Sequence, residues 1–409
     1  MPLPSTPLHL LLLFLAAVSS GRLPGAASKS TLEPCASSTA CPALLSYTLY
    51  AELRLAEVAV LFAADPLAIL AANAIDYAVP DAASRILPAG LSLRVPVPCA
   101  CSNGTRRTSP VRYVSRHGDT LASVASRVYG GLTAPEWIRE SSGIINADDV
   151  VDAGTALLVP LHCACFGGVD SWNGVPAVYL TYVVAKGDTV PAIAKRYRTT
   201  ATDVMSVNDL ATTADVAAGD IVVLPLPACS SSFPTSTSDH GLAVANGTYA
   251  VTADRCVQCS CGPAGNLDLF CVPAPPLADA ACSRMQCGNS SMVLGDFTLV
   301  MTAAGCRVTS CGYGGYANGT ILTALTTTLK PQCPGPHQFP PLVAPPTSSF
   351  FETYLGPSPA PMPSQGGADP TMAPTGSPDA VAAGAPTTVR HLGELTGVFA
   401  LCLVVGMMW

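Results

Sequence analysis

Charge is scarce in this 409-residue chain: only 11% of residues are charged, with Lys+Arg 20 against Asp+Glu 27 and a formal net charge of −7. A nucleic-acid binder takes its affinity from neutralising phosphates, so this balance points away from nucleic acid as a partner. Histidine is also rare, at 6. The segment 229–333 holds Asp239, Asp254, Asp268, Asp279 and Asp296 but no glutamate, and His240 is its only histidine. A glycosidase needs two positioned carboxylates. With no nucleophile–base triad and no metal-ligand cluster, the residues predict no enzyme, no cofactor and no metal. A kinase glycine-rich loop and a His-Arg-Asp motif are missing too. Neither apolar end, Leu8 to Val18 or Leu395 to Trp409, has the roughly 20 residues that cross a bilayer.

Cysteine is plentiful, at 17. Setting aside Cys402 in the apolar tail leaves an even number, which reads as a disulfide framework in a secreted protein. Residues 1–27 fit a signal peptide, with cleavage after Ala27 or near Ser20. At the other end, small residues Ala382-Ala383-Gly384-Ala385, a polar spacer and the short tail form a glycosylphosphatidylinositol (GPI) attachment signal. Gly384 is the expected attachment residue, Ala383 the next choice, and 385–409 the propeptide. Sequons at Asn103, Asn246, Asn289 and Asn318 mark expected N-glycosylation sites. Residues 334–383 are rich in Pro, Ser, Thr, Ala and Gly and predict a disordered stalk. The region 229–333 carries ten cysteines between short β-like runs and predicts a small disulfide-held, mostly β region.

The chain repeats itself. Tyr113-Val114-Ser115-Arg116-His117-Gly118-Asp119-Thr120-Leu121 returns as Tyr182-Val183-Val184-Ala185-Lys186-Gly187-Asp188-Thr189-Val190. Apolar residues then follow at helical spacing: Leu121, Val124, Ala125 and Val128 in one copy, Val190, Ile193, Ala194 and Tyr197 in the other. Asp or Thr of Gly-Asp-Thr is placed to cap this helix. A second helix is expected from Thr133, whose Thr133-Ala134-Pro135-Glu136 fits a capping box, and from about Thr202 to Asn208 in the later copy. Leu157-Leu158-Val159-Pro160 and Val222-Val223-Leu224-Pro225 read as closing strands that proline ends. A worn copy lies upstream, with Leu55, Val58, Ala59 and Phe62 at helical spacing, then Asn73 and a closing run Leu91 to Pro96. Its turn is Ala51-Glu52-Leu53. Each unit is therefore β-α-α-β.

This pattern resembles the lysin motif (LysM), a module that binds N-acetylglucosamine polymers. Three such modules separated by Cys99-Ala100-Cys101 and Cys163-Ala164-Cys165 resemble plant LysM receptor ectodomains, over roughly Cys35 to Cys229. The resemblance implies an α+β fold of three tandem modules: a degenerate one at 45–98, then 112–160 and 181–226. It implies pairing of Cys35 with Cys101, Cys41 with Cys165 and Cys99 with Cys163; structural zinc prefers Cys-x2-4-Cys. It also implies a glycan groove between two loops of each module. In the middle module these are Gly118, Asp119, Thr120 and Leu121 beside Ile144, Ile145, Asn146, Ala147 and Asp148. In the last they are Gly187, Asp188, Thr189 and Val190 beside Leu210, Ala211, Thr212 and Thr213. Asp119 and Asp188 also read as simple helix caps, Leu121 and Val190 as core, and Trp137 as packing before platform.

Similar plant proteins are GPI-anchored pattern-recognition receptors of innate immunity, on the extracellular face of the plasma membrane. They sense chitin oligosaccharides, peptidoglycan or both. The likeness implies a LysM receptor kinase co-receptor and homo- or hetero-oligomers with other LysM receptors. A wall-linking glycan-binding protein without signalling shares every one of these features. With the middle module carrying most affinity, Ile145→Lys is expected to cut chitin-oligomer binding at least tenfold by calorimetry on the secreted ectodomain; unchanged affinity with the fold intact removes Ile145 from the groove.

Overall fold

The computed structural model describes residues 40–82, 84–102, 106–144, 150–165, 171–172, 174–262, 267–275 and 282–346. Cys35, the expected signal peptide, Asn103, Ile145, Asn146, Ala147, Asp148, the stalk beyond 346, Gly384 and the apolar tail lie outside the described residues.

Three β-α-α-β units follow one another. The first runs β1 (Cys41–Thr48), α1 (Leu55–Phe62), α2 (Pro66–Ala72) and β2 (Ser92–Ser102). The second runs β3 (Arg106–Val114), α3 (Leu121–Ser123, continued by a π turn Val124–Val128), α4 (Pro135–Ser142) and β4 (Ala156–His162). The third runs β5 (Val175–Val183), α5 (Val190–Tyr197), α6 (Ala201–Val207) and β6 (Ile221–Ser230). The apolar residues read at helical spacing are buried in all three units, each contributing about 1.5–3 kcal/mol of transfer free energy for a Leu- or Val-sized side chain.

Opening and closing strands pair antiparallel within each unit. The units then fuse into one sheet. The end of β2 pairs with the start of β3 (Ala100↔Thr108), and β1 lies parallel to β5 (Leu44↔Leu180). With β7 (Ala243–Ala245) added to β6, the order is β7-β6-β5-β1-β2-β3-β4. The first unit, worn in its turn sequence, is the central one. Tyr47 donates to the Val128 carbonyl at 3.0 Å and Tyr129 to the Leu61 carbonyl at 3.2 Å, crossing between first and second units in both directions. Phe62 packs edge-on against both rings, with centroids at 4.7 and 5.8 Å.

Proline does not end the closing strands. Pro96, Pro160 and Pro225 pair with Leu44, Pro110 and Tyr179 inside them. At each point the strand has one neighbour only. The missing N–H therefore falls where no ladder needs it.

A polar clamp ties the second helix of each unit to its closing strand. Asn73 accepts from the Arg94 N–H at 2.9 Å and donates to the Arg94 carbonyl at 2.8 Å; Asn208 does the same to Val223 at 2.8 and 2.7 Å. Ser142 takes this place in the middle unit, accepting from the Leu158 N–H at 2.9 Å. The next residue is left-handed in every unit: Ala74 (φ 53°), Gly143 (φ 66°) and Asp209 (φ 54°). The helix expected from Thr133 starts later, with Ala134 as N-cap and Pro135 first in the helix; Thr133 is buried and makes no cap. In the third unit Thr200 caps the helix by accepting from Asp203 N–H at 3.0 Å.

Beyond β6 the chain builds two three-stranded antiparallel sheets, β8 (Tyr249–Thr252), β9 (Val257–Cys261) and β10 (Leu269–Pro273), then β11 (Phe297–Thr302), β12 (Gly305–Ala317) and β13 (Thr320–Lys330). All ten cysteines of this region are paired: Cys229–Cys261, Cys256–Cys282, Cys259–Cys271, Cys287–Cys311 and Cys306–Cys333. The expected stalk begins as a packed strap. His337 stacks on Phe270 with centroids 4.2 Å apart, and Val343 exchanges backbone hydrogen bonds of 2.9 Å with Ala74 and Asp76. Two aromatic side chains and a β bridge hold what composition alone assigns to disorder.

Removing the buried clamp leaves the Val223 backbone groups without partners, a loss of about 1–3 kcal/mol. Asn208→Ala is expected to lower the melting temperature clearly by calorimetry. Ser142→Ala, whose bonds face solvent, is expected to lower it less; equal effects contradict the clamp.

Candidate functional site

The Gly-Asp-Thr turns are built alike. Gly118 and Gly187 are left-handed, at φ 83° and 88°, a conformation glycine adopts without steric cost. Thr120 and Thr189, not the aspartates, cap the helices: their hydroxyls accept from Ser123 N–H at 3.0 Å and Ala192 N–H at 3.3 Å. Asp119 instead closes the turn. Its Oδ2 accepts from the Arg116 N–H and the Tyr113 hydroxyl, both at 2.7 Å. Asp188 accepts from Ala185 N–H at 3.0 Å and from the Tyr182 hydroxyl. The carboxylates are occupied in holding the turn against its strand. Leu121 and Val190 are completely buried on the core side, so their side chains are no part of a surface groove.

In the middle unit the turn meets Val150 and Val151, just past the second expected loop. Val151 N–H donates to the Asp119 carbonyl at 2.8 Å, and Thr120 forms an antiparallel bridge with Val150. Val150 is 65% exposed, an apolar side chain held at the edge of the turn that the sequence reading passed over. Ile144 behaves differently. Its N–H reaches back to the Arg139 carbonyl at 3.0 Å, as Leu210 does to Met205 at 2.9 Å and Ile75 to Leu70 at 3.0 Å. These three residues follow the clamp in equivalent positions, and Ile144 and Leu210 pack half-buried against the core. Ile144 is therefore a core anchor, not an exposed contact. Ile145, Asn146, Ala147 and Asp148 fall outside the described residues.

In the third unit Ala211, Thr212 and Thr213 are exposed. Asp215 fastens this loop by accepting from Thr212 N–H at 2.7 Å and its hydroxyl at 2.9 Å, which holds the Asp215 carboxyl below its ordinary pKa. The first unit has Leu53, buried, where the others have the turn aspartate, and Leu53–Arg54 pairs with Ile86–Leu87. Trp137 lies on His162 with ring centroids 4.0 Å apart, a packing position. Cys41 is bonded to Cys165 and Cys99 to Cys163; Cys101 is disulfide-bonded as well. The sequon residues Asn289 and Asn318 are exposed and Asn246 half-buried.

The chain carries a LysM domain: the LysM domain family model matches residues 182–225, the third unit. LysM domain-containing GPI-anchored protein LYP4 of Oryza sativa subsp. japonica is 73% identical, over 94% of this chain and 95% of that protein. Chitin elicitor-binding protein of the same organism is 28% identical, over 62% of this chain and 70% of that protein. A crystal structure of the ectodomain of a receptor like kinase is 22% identical and covers 47% of this chain and 94% of that one, with a TM-score of 0.38. The chain belongs to the LysM domain-containing GPI-anchored proteins, and that membership sets it on the extracellular face of the plasma membrane.

Burial first, and then the hydrogen bond to the turn aspartate, push the Tyr113 and Tyr182 hydroxyls well above the usual tyrosine pKa; burial does the same at Tyr47, Tyr129 and Tyr249. A raised folded pKa stabilises the fold below the unfolded value of about 10 and loses that contribution as pH rises from there towards the folded pKa. Melting temperature is expected to hold up to about pH 10 and fall above it, with phenolate absorbance of the buried tyrosines rising together with loss of the near-ultraviolet dichroism. Ionisation of those tyrosines in an intact fold contradicts the arrangement.

Proposed function

We propose that all three β-α-α-β units are LysM modules and that the chain is a receptor for N-acetylglucosamine-containing microbial glycans, chitin oligosaccharides, peptidoglycan or both. The observation that carries this reading is the middle turn, where Asp119 and Thr120, following Gly118, are paired through the backbone with Val151 and Val150. A neutral polymer of this kind offers hydroxyls, amides and acetyl methyls. It suits a shallow backbone-rich groove with an exposed apolar side chain for the methyl, and Val150 has that place. The Gly187, Asp188 and Thr189 turn with Ala211, Thr212 and Thr213 is the corresponding surface of the third module. The name of the chitin elicitor-binding relative supports the same ligand class.

Each sugar hydrogen bond nets about 0.5–1.5 kcal/mol, so one groove binds weakly and one polymer spanning two chains binds better through avidity. In this reading a LysM receptor kinase co-receptor carries the signal across the membrane and triggers the innate immune response, with oligomers of LysM receptors forming along the glycan.

The test is retention of the secreted chain on insoluble chitin and on insoluble peptidoglycan, competed with soluble N-acetylglucosamine oligomers. Retention on at least one, released by the oligomers, is expected; retention on neither overturns the reading. Val150→Lys is expected to weaken chitin-oligomer binding at least tenfold without changing the melting temperature, and an unchanged affinity moves the groove away from the middle turn.

A further inference from the structure

A concave surface lies where the first unit, the third unit and the returning strap meet. It encloses about 410 Å³ and is lined by Arg94 of β2, Arg196 and Arg198 at the end of α5, Gly247 in the turn after β7, and Val343 of the strap, with Asn73 among its polar groups. That size is within the range of small-molecule sites, about 300–1,000 Å³.

The arginines are an unusual feature of a chain with net charge −7. Arg94 is half-buried, with its guanidinium carbon 5.7 Å from the centroid of the Tyr197 ring. Burial holds its pKa below the ordinary value, with Tyr197 acting the other way and the neighbouring Arg198 adding to the lowering. Arg198 occupies a left-handed backbone position (φ 57°). Its guanidinium rests over bare backbone: a Cβ at Gly247 would come within 2.9 Å of Nη1. Arg196 has Asp188 at 3.9 Å. Among the described residues no carboxylate is paired with Arg94 or Arg198. Two adjacent guanidinium groups, one of them desolvated, repel each other unless an anion joins them. Their planar donor forks fit a carboxylate in two-point fashion. Of the polar groups around them, Asn73 is held in the clamp, while Ser92 and Asn246 suit hydroxyls and amides.

We propose that this cleft is a second ligand site, separate from the turn groove, that takes a carboxylate carried on a saccharide chain. Such a carboxylate has two sources, the uronate of an acidic polysaccharide and the lactyl or peptide carboxylate of a peptidoglycan fragment. The assignment stands on the arginine cleft alone and does not depend on the turn groove binding chitin.

The experiment measures binding of oligogalacturonate and of a muramyl-peptide disaccharide, each against its carboxyl-reduced counterpart, by calorimetry on the secreted chain. It is repeated on Asn246→Gln, which keeps the sequon at the cleft free of glycan. At least one acidic ligand is expected to bind one of these two proteins at least tenfold more tightly than its reduced form, and the one that binds identifies the source. Arg198→Gln, an exposed change, is expected to remove most of that preference and to flatten its salt dependence; Arg94→Gln serves as the second variant if Arg198→Gln is not secreted. Acidic and reduced forms binding equally, or neither binding, overturns the proposal, as does an undiminished preference in a folded Arg198→Gln chain. A chain that fails to bind chitin but passes this test loses the turn groove and keeps the cleft.

Discussion

Strand β1 is hydrogen-bonded along both edges, antiparallel to β2 of its own unit and parallel to β5 of the third. Modules of this size bury too little apolar surface to be robust alone, so the structure depends on this shared strand. It turns three small layers into one sheet with a core extending from Leu45 through Leu121 to Val159. The staples reinforce the same end of the sheet. Cys41 and Cys99 face each other across β1 and β2 and are bonded to Cys165 and Cys163, just past β4. The central position also accounts for the worn turn of the first unit. Its demands are on packing, and a buried Leu53 serves packing better than a turn aspartate does.

Rigidity of the two intact turns follows from buried tyrosines. Tyr113 and Tyr182 stand in their opening strands with hydroxyls on the turn carboxylates. Each turn is thus fixed from the core outwards, while its glycine and the following residues stay accessible. A preformed surface loses little freedom on binding, which matters when individual contacts are weak. Val150 is likewise held beside Thr120 by an isolated backbone bridge.

Much of this was legible in the sequence, for definite reasons. Helical spacing found α1, α3 and α5, because the buried stripe is a local property of those eight-residue stretches. Threonine capping and the glycine positions were legible as residue chemistry. Pro96, Pro160 and Pro225 misled, since proline interrupts a strand only where its N–H is needed, and whether a neighbour lies on that side is a tertiary fact. The clamp in the middle unit is Ser142, so Ile144 falls on the core side and Val150 beside the turn. A serine and an asparagine that make the same two backbone hydrogen bonds share no sequence signal. The strap from 334 to 346 was hidden by its proline content, although His337, Phe339 and Val343 give it enough to pack.

The third turn and the arginine cleft are not mechanically independent. Arg196 donates to the Tyr182 hydroxyl at 3.3 Å and lies 3.9 Å from Asp188, so it belongs at once to the clamp beneath the third turn and to the rim of the arginine cleft. The corresponding reach in the middle unit is made by Arg116, before its turn, which donates to Tyr50 of the first unit at 3.1 Å. The middle turn therefore leans on the first unit and the third turn on the cleft. A carboxylate drawn in by Arg94 and Arg198 would compete for Arg196 with Asp188 and change the charge under the third turn. The middle turn, whose clamp has no such connection, would be left as it is. This asymmetry ties the third turn, and not the middle one, to the arginine cleft.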